Sequence, residues 1–375
     1  MRPLEDLRVV DATSFISGPF AALCLADLGA RVLKIEPPRG DPMRRFGVLH
    51  NGVNFSFAAC NVNKVSRTLD LKRPSDVARF REILDESDVL LTNWRPGVAE
   101  DFGLGLDTIR DSYPKLIWVR ISGYGQDGPF AGRPAFDTII QARSGIAFSR
   151  EGDAQLATGY LADKVTGMLA AQAALAALHS RETNNVGSIV DVAMLDAMAY
   201  FNGPDLFAGG LIKARFEPAV MRHVCGPRPL PTKDGWIMVS PVSGQQLKSL
   251  LVAVDRPEWL DNLRNASDPA ALILEMHRLL ETVLPNHTTQ EWERRMADAD
   301  VPASAVISLE QHFEDPQVVH NQLYHDLEDP VFGTIRRLRY PALFDESAAE
   351  TGDLPVPSLE SLGESIEQSN GKSKS

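Results

Sequence analysis

The chain has 375 residues, a formal net charge of −12, and hydrophobic and charged fractions of 44% and 23%. This length exceeds the ~100–200 residues of one domain, so two domains are predicted, and the composition is that of an ordinary globular protein. The acidic balance argues against a nucleic acid as the main partner, because a phosphate backbone binds basic surfaces.

Strands and helices alternate along the first half of the chain. The predicted strands cover residues 8–11, 31–36, 68–71, 89–92, 116–121 and 188–192. A helix opens at Pro74, and an alanine-rich helix covers residues 163–179. This alternation predicts an α/β fold with a parallel sheet that carries helices on both faces.

The sequence changes character near Asn202. Residues 221–309 are interpreted as a smaller domain of helices and strands, with linkers at 206–220 and 310–315. Asp234-Gly235 before an apolar run predicts a hairpin in that domain. The larger domain is expected to cover residues 1–205 and 316–360, and the polar tail at 361–375 is expected to be disordered.

Three segments at predicted strand ends have the composition of ligand-binding loops. The first, residues 11–19, contains only Gly18, so the glycine fingerprint of a nicotinamide site is missing. Glu36 could be a ribose-binding acid or simply a surface acid at a strand end. Residues 93–97 and the glycine-rich 122–129 follow later strands. Each segment alone could be a turn, whereas the three together predict a binding site at one sheet edge.

Other motifs of chemical interest are sparse. Cys24, Cys60 and Cys225 form no CxxC pair, which fits a reducing, cytoplasmic location and argues against disulfides or zinc. The eight histidines form no HExxH array, so neither a metal site nor a Ser-His-Asp triad is expected. The N-terminus lacks an apolar signal region, and no apolar run reaches ~18 residues, so no membrane span is expected.

Asp163 begins the alanine-rich helix and has two possible roles. A helix N-cap is the simpler one, since Asp is a preferred capping residue. The alternative is a nucleophile, because the helix dipole and free N–H groups near a helix N-terminus favour an ionised carboxylate. The residue pattern alone leaves both open.

Short motifs follow one another in a fixed order along nearly the whole chain. They cover residues 17–19, 25–37, 63–64, 69–72, 93–97, 116–129, 135–137, 141, 162–167, 190–196, 234–235 and 315–317. In this order they resemble the class III (family III) coenzyme A transferases, whose superfamily includes formyl-CoA transferase, carnitine CoA-transferase and α-methylacyl-CoA racemase. The resemblance implies a Rossmann-like large domain whose sheet is built from both chain ends, a smaller α+β domain, and a homodimer of interlocked chains.

The resemblance also implies a reaction. Asp163 matches the family's catalytic aspartate, which carries the acyl group as an anhydride and then CoA as a thioester; no tightly bound cofactor is expected, and acyl-CoA and a free carboxylic acid are the substrates. The positions that match CoA contacts are Ile16, Leu69, Asn93, Trp94, Val98 and Phe102. The family's arginines near Pro37 and Asp101 are missing, and the basic residues expected to meet the CoA phosphates instead are Arg39, Lys64, Arg67 and Arg133. The family's glycine-rich lid is also missing, and residues 225–230 stand in its place.

Two other functions remain as alternatives. An α-methylacyl-CoA racemase shares the fold but needs an acid–base pair at the α-carbon. Racemases place a His where this sequence has Phe136, and Phe cannot carry a proton. A non-catalytic acyl-CoA-binding protein is the second alternative, against which the intact motif around Asp163 argues.

Overall fold

The computed structural model describes residues 1–147, 154–204, 228–267, 269–350 and 352–359. The chain forms two compact units: Met1–Asn202 with Gln322–Ser375, and Gly203–Asn321. The chain thus returns to the first unit at Gln322 rather than at residue 316. The predicted linker 206–220, Cys225 of the lid stretch and the tail 361–375 lie outside the described residues.

A six-stranded parallel sheet forms the centre of the first unit. The first eight strands along the chain are β1 (Arg8–Ala12), β2 (Arg31–Glu36), β3 (Leu49–His50), β4 (Val53–Asn54), β5 (Val65–Thr68), β6 (Val89–Thr92), β7 (Ile117–Ser122) and β8 (Ile189–Ala193). The sheet has the order β5-β2-β1-β6-β7-β8, and β3 and β4 form a separate hairpin. Every neighbouring pair in the sheet is parallel. The parallel sheet predicted from the sequence is therefore confirmed.

Helices cover both faces of this sheet. They are α1 (Ser17–Ala26), α2 (Phe55–Asn61), α3 (Pro74–Asp85), α4 (Val98–Asp101), α5 (Leu106–Ser112), α6 (Asp137–Arg143), α7 (Leu161–Asn184) and α8 (Met194–Asn202). Successive strand residues alternate between the faces: Val9 and Leu91 pack with α1 and α7, whereas Val10 and Leu90 pack with α3 and α5. Because helices cover both faces, the central strands β6 and β7 are mostly apolar, whereas β5 at the edge of the sheet is mostly polar.

Helix α7 is long and apolar enough to span a membrane by length and composition alone. It nevertheless packs as a core helix, with Ala170, Ala171 and Ala174 buried against the sheet and α1. Small side chains allow this close approach, as the alanine-rich sequence predicts.

The second unit has its own hydrophobic core. Its elements are β9 (Leu230–Pro231), β10 (Trp236–Val239), α9 (Gly244–Ala253), α10 (Trp259–Arg264), α11 (Pro269–Leu280), α12 (Thr289–Asp298), β11 (Ala303–Ala305), α13 (Leu309–Glu314) and α14 (Pro316–His320). The antiparallel pairing of β9 with β10 is the hairpin predicted at Asp234-Gly235. Trp292 and Met296 of α12 are fully buried in the core of this unit.

The expectation that both chain ends supply the parallel sheet is wrong for the described residues. All six strands lie between Arg8 and Ala193. The returning chain instead forms an antiparallel ribbon of β12 (Tyr324–Asp329) and β13 (Gly333–Leu338), followed by a short hairpin of β14 (Leu343–Phe344) and β15 (Ser347–Ala348). Strands β12 and β13 are rich in charged residues, and most of their positions are exposed or half-buried, which suits a ribbon outside the central sheet. A salt bridge of 2.5 Å from Arg337 Nη2 to Asp27 Oδ1 fixes the ribbon to the end of α1.

Helices α1 and α7 are in close contact at Gly167. A Cβ atom at this position would lie 2.7 Å from the carbonyl oxygen of Ser17, 3.0 Å from the Phe20 ring and 3.1 Å from the amide nitrogen of Ala21. We expect Gly167→Ala to lower the free energy of unfolding by about 1–3 kcal/mol, because the contacts are with backbone that cannot easily move. Urea denaturation measures this. Gly244→Ala is the control, since a Cβ there meets nothing within 4 Å; equal loss in both variants would refute the close crossing.

Candidate active site

A cavity of about 250 Å³ lies at the carboxyl-terminal edge of the parallel sheet. Its wall comes from the segments that follow β1, β6 and β7, together with Asp163 of α7 and Met194 of α8. The structure thus brings together the three loops that the sequence singled out, as expected of an open α/β sheet. Asp163 is the acidic side chain among the residues that line it.

Asp163 lies inside α7 rather than at its cap. The N-cap is Tyr160, and Leu161 and Ala162 precede Asp163 in the helix. The capping role considered from the sequence is therefore wrong. The side chain is 8% exposed and reaches the cavity wall, which is the position a reactive group requires.

The environment of Asp163 disfavours its charged form. Burial and the neighbouring carboxylate of Asp137 raise the pKa of Asp163 to about 7, against the opposing effect of a hydrogen bond from Ser17. The sequence led us to expect that the helix N-terminus would keep this group ionised. The structure shows a carboxyl group that titrates near neutral pH, because burial and a second acid outweigh the helix end.

Asp137 is a member of the site that the sequence argument did not assign. It is 4% exposed, its Oδ1 accepts a hydrogen bond of 3.1 Å from the backbone N–H of Asp163, and its Oδ2 accepts one of 2.6 Å from Gln141 Nε2. The oxygen of the Gln141 amide in turn accepts from the N–H of Ala157, at 2.9 Å. The sequence signal that could have indicated this pair is an Asp and a Gln four residues apart, because such residues are neighbours on the surface of a helix.

Asn93 ties the first two loops together. Its Oδ1 accepts a hydrogen bond of 3.0 Å from the N–H of Ser14, and its Nδ2 donates one of 2.7 Å to the carbonyl of the same residue. The next residue, Phe15, has a positive φ of 64°, which is uncommon for an aromatic residue, and its N–H donates to Asp41 Oδ1 at 3.1 Å. These bonds hold the Phe15 ring in the cavity wall, edge-on to Phe136 with the centroids 5.0 Å apart.

Buried ion pairs stabilise the loop that contains Thr13 and Phe15. Lys34 Nζ donates to the carbonyl of Thr13 at 3.0 Å and pairs with Asp41 Oδ2 at 3.0 Å, while Lys64 Nζ pairs with Asp11 Oδ2 at 2.8 Å. Both lysines and Asp11 are at most 2% exposed. Burial alone would raise the pKa of Asp11, but the charges of the two lysines outweigh it and lower that pKa to about 2.

Glu36 is neither a ribose ligand nor a surface acid. It is fully buried, and its two oxygens each accept a hydrogen bond of 2.7 Å from the guanidinium of Arg44. Ser66 and the N–H of Asp41 bind it as well. Both interpretations offered by the sequence are therefore wrong, since a strand-end acid that seemed exposed is enclosed by the chain between β2 and β5.

Only some of the predicted CoA contacts lie in the cavity that contains Asp163. Asn93, Trp94 and Arg133 line the cavity with Asp163. Ile16 and Leu69 do not: their side chains are 3% and 2% exposed and pack in hydrophobic clusters. Their role as CoA contacts stays a prediction. Because their side chains are buried, such a contact would have to come from their backbone atoms.

The remaining predicted contacts lie outside the cavity. Val98 is half-buried on α4 and Arg39 is exposed; neither lines the cavity of Asp163. Phe102 contributes to a larger groove of about 660 Å³, formed with Lys72 and Arg81, which does not include Asp163. The smaller cavity is the candidate active site, because it alone of the two contains the buried titrating acid.

Comparison with known proteins identifies the class to which this fold and site belong. The family model described as CoA-transferase family III matches residues 4–361. The chain is 30% identical over 347 residues to the succinyl-CoA–D-citramalate CoA-transferase of Chloroflexus aurantiacus, covering 89% of this chain and 86% of that protein. It is 29% identical over 345 residues to the human succinyl-CoA:glutarate CoA-transferase, covering 89% and 78% of the two chains.

Solved structures agree with this result. The crystal structure of Rv3272 from Mycobacterium tuberculosis superposes with a TM-score of 0.81 at 29% identity, and covers 96% of this chain and 97% of that one. A CaiB/BaiF family protein from Brucella suis superposes with a TM-score of 0.80 at 27% identity, covering 95% and 96%. The chain belongs to the family III CoA-transferases, as the sequence motifs indicated. It is an enzyme that acts on CoA thioesters.

Proposed function

We propose that the protein transfers CoA from an acyl-CoA thioester to a free carboxylic acid through covalent intermediates on Asp163. The observation that carries the proposal is the position of Asp163, a buried carboxyl group in the wall of a cavity formed by three ligand-type loops. A carboxylate there can attack a thioester that enters the cavity.

The reaction then takes two symmetrical halves. The Asp163 carboxylate attacks the thioester carbonyl, the carbon–sulfur bond breaks, and CoA leaves as a thiolate, giving an acyl–aspartyl anhydride. The thiolate attacks the aspartyl carbonyl of the anhydride, which gives an aspartyl–CoA thioester and releases the donor acid. The acceptor carboxylate attacks the aspartyl carbonyl of this thioester, the carbon–sulfur bond breaks, and a second anhydride forms between Asp163 and the acceptor as CoA thiolate leaves. The thiolate then attacks the acceptor's carbonyl carbon in this anhydride, which gives the acceptor's CoA thioester and releases the Asp163 carboxylate. The thioester is conserved throughout, so no ATP is required.

The cavity wall suits such intermediates. An anhydride is hydrolysed readily by water, and the paired rings of Phe15 and Phe136 cover part of the wall with apolar surface. Gly123, from the loop after β7, exposes backbone in the same wall. Backbone N–H groups of this kind can stabilise the oxyanions that form during each attack.

A mass-spectrometric assay tests the proposal. Purified protein is incubated with an acyl-CoA and an isotopically labelled carboxylic acid, and the labelled acyl-CoA is measured. The names of relatives mention succinyl-CoA, acetyl-CoA and fatty acyl-CoA, so a panel of donors is needed. Fast uptake of deuterium at the α-carbon of a 2-methylacyl-CoA without transfer would instead support a racemase. We do not expect this deuterium uptake, because the side chain of Phe136 in the cavity wall has no acid–base group that could transfer a proton.

The rate of transfer should increase with pH. The reactive form of Asp163 is the carboxylate, and its pKa is raised to about 7 by burial and by Asp137. We therefore expect kcat/KM to rise about tenfold between pH 6 and pH 8, as the ionised fraction grows. Asp137→Asn removes the like charge while its amide oxygen can still accept from the N–H of Asp163, so the midpoint should move down by about one pH unit.

The matched control for this pH profile is Asp298→Asn, which removes an exposed carboxylate that pairs with Arg294 in the second unit. Its pH profile should equal that of the wild type. A flat profile for the wild type between pH 6 and 8 would contradict the titration of Asp163. The interlocked homodimer and the cytoplasmic location stay predictions; light scattering of the purified protein tests the first.

A further inference from the structure

The first turn of α7 is capped by a side chain from another helix. Asp163 is the third residue of α7, so its backbone N–H has no acceptor within the helix. The N-cap residue, Tyr160, makes no side-chain capping bond. Asp137 of α6 supplies the missing acceptor, because its Oδ1 lies 3.1 Å from the backbone nitrogen of Asp163. The position of Asp163 therefore depends on where α6 holds the carboxylate of Asp137.

Gln141 lies one turn further along α6 and fixes that carboxylate. Its Nε2 donates a hydrogen bond of 2.6 Å to Asp137 Oδ2, and its Oε1 accepts one of 2.9 Å from the backbone N–H of Ala157. Ala157 belongs to the segment that leads into α7. A single amide thus binds both the acid that caps α7 and the chain that enters α7.

The burial of Gln141 indicates a role other than packing. The side chain is fully buried, and a buried amide is unfavourable unless its polar atoms are hydrogen-bonded. Its neighbour Ile140 is equally buried and packs in the core of the first unit. An apolar side chain of similar size at position 141 would fill the same space without needing partners. The amide is therefore explained by its two hydrogen bonds, to Asp137 and to the segment before α7.

We propose that Gln141 is a positioning residue for CoA transfer: it holds Asp137 against the N–H of Asp163 and thereby fixes the Asp163 carboxyl group in the cavity wall. This proposal rests on the proposed function of Asp163. Covalent transfer requires the attacking oxygen close to the thioester carbon in a fixed direction, and a displacement of ~1 Å can lower a rate about 100-fold. Gln141 is not among the described residues that line the cavity, so it acts through Asp137 and not on the substrate.

Gln141→Met removes both hydrogen bonds with little change in side-chain size. We expect kcat to fall about 10- to 100-fold while KM for acyl-CoA stays within about twofold, because the wall that binds the thioester is retained. Gln317→Met is the matched control, since Gln317 Nε2 also bonds a side chain four residues on, Asn321 Oδ1 at 2.8 Å, but is exposed in the second unit. It should transfer CoA at the wild-type rate. A kcat for Gln141→Met within about twofold of wild type would overturn the proposal.

A double substitution tests the hydrogen bonds themselves. In Asp137→Asn/Gln141→Glu the amide and the carboxylate exchange places. The amide oxygen at position 137 still accepts from the N–H of Asp163, its NH2 group donates to the carboxylate at position 141, and that carboxylate accepts from the N–H of Ala157. All three bonds are retained, whereas Gln141→Glu alone places two carboxylates against each other. The double variant should recover most of the kcat that Gln141→Glu loses; equal rates in the two would overturn the proposal.

The pH profile of the double variant provides a readout that a merely structural role would not change. The exchange moves the negative charge from the residue that binds the N–H of Asp163 to the one that binds the N–H of Ala157. Less repulsion then acts on the Asp163 carboxylate, so the midpoint of kcat/KM against pH should lie below that of the wild type. An unchanged midpoint would show that the pair does not act on Asp163, and would overturn the proposal.

Hydrogen–deuterium exchange separates this proposal from that of Asp163, because it requires no catalysis. The backbone amides of Ala157 and Asp163 donate to the pair on α6, and peptides that cover residues 157–163 report their exchange by mass spectrometry. Gln141→Met should accelerate exchange in these peptides, and Asp137→Asn/Gln141→Glu should restore the wild-type rate. This result supports the positioning role even if no transfer is detected. Equal exchange in the wild type and Gln141→Met rejects that role even if transfer by Asp163 is established.

Discussion

Replacing Asp163 with alanine is expected to lower the rate of CoA transfer more than a thousandfold, while acyl-CoA still binds. The carboxylate is the group that forms both covalent intermediates, and loss of a covalent nucleophile usually costs at least this much in kcat. The cavity walls from the other loops remain, so binding of the thioester should persist. Kinetics with a donor and an acceptor measure the first effect, and calorimetry with acyl-CoA measures the second.

The melting temperature of Asp163→Asn provides a second test, which depends on the burial of the Asp163 charge and not on catalysis. Because the pKa of Asp163 is raised from 3.8 to about 7, its ionisation destabilises the folded state as pH rises through that range. The cost reaches on the order of 4 kcal/mol above pH 7, at ~1.4 kcal/mol per pKa unit. Asp163→Asn should therefore raise the melting temperature at pH 8 and leave it nearly unchanged near pH 4.

Two outcomes would contradict the role of Asp163. Residual transfer above about a thousandth of the wild-type rate in Asp163→Ala would show that another group carries the acyl chain. Failure of hydroxylamine to release CoA from wild-type protein treated with donor would show that no aspartyl thioester accumulates. A melting temperature that is unchanged by Asp163→Asn at pH 8 would instead contradict the burial of the charge.

Replacing Lys64 with methionine is expected to destabilise the first unit by about 3–5 kcal/mol, the usual cost of removing one partner from a buried ion pair. Lys64 Nζ donates three hydrogen bonds, to Asp11 Oδ2 at 2.8 Å, to the carbonyl of Pro19 at 2.7 Å and to Asn61 Oδ1 at 3.0 Å. It thereby joins β1, α1 and α2 at one point. Without it, the fully buried Asp11 carboxylate would lose a direct ion-pair partner.

Denaturation in urea measures this loss, with Lys72→Met as control, because Lys72 is exposed and its replacement should have little effect. Adding Asp11→Asn to Lys64→Met should restore part of the stability, since the uncompensated charge is then removed. Transfer activity should fall with Lys64→Met, because Asp11 also binds Thr13 at the base of the loop that carries Phe15. Equal midpoints for Lys64→Met and Lys72→Met would refute a structural role for the buried ion.

The bounds of the strands could be predicted from the sequence in some cases and not in others. Residues 31–36 and 89–92 have the bounds that the sequence predicts. In residues 89–92 a continuous apolar run, typical of a strand buried on both faces, gives the signal; in residues 31–36 the apolar Val32, Leu33 and Ile35 give it despite three charged neighbours. The next strand was predicted at 68–71 but lies at Val65–Thr68. Its polar residues gave no periodic signal, and its position is set by pairing with β2, where Ser66 binds the buried Glu36.

The sequence by itself determined the family, the parallel α/β architecture, the three loops at one sheet edge and Asp163 as the residue of interest, because these depend on local composition and on motifs in order. Only the tertiary structure decided the environments. Lys34, Lys64 and Glu36 are of types that normally face solvent, and each is buried with at least one partner from another segment of the chain, as Lys64 is with Asp11 and Glu36 with Ser66. Likewise, the pKa of Asp163 depends on burial and on Asp137. Charge and burial at one point in space depend on segments that are distant in sequence, so no local pattern contains them.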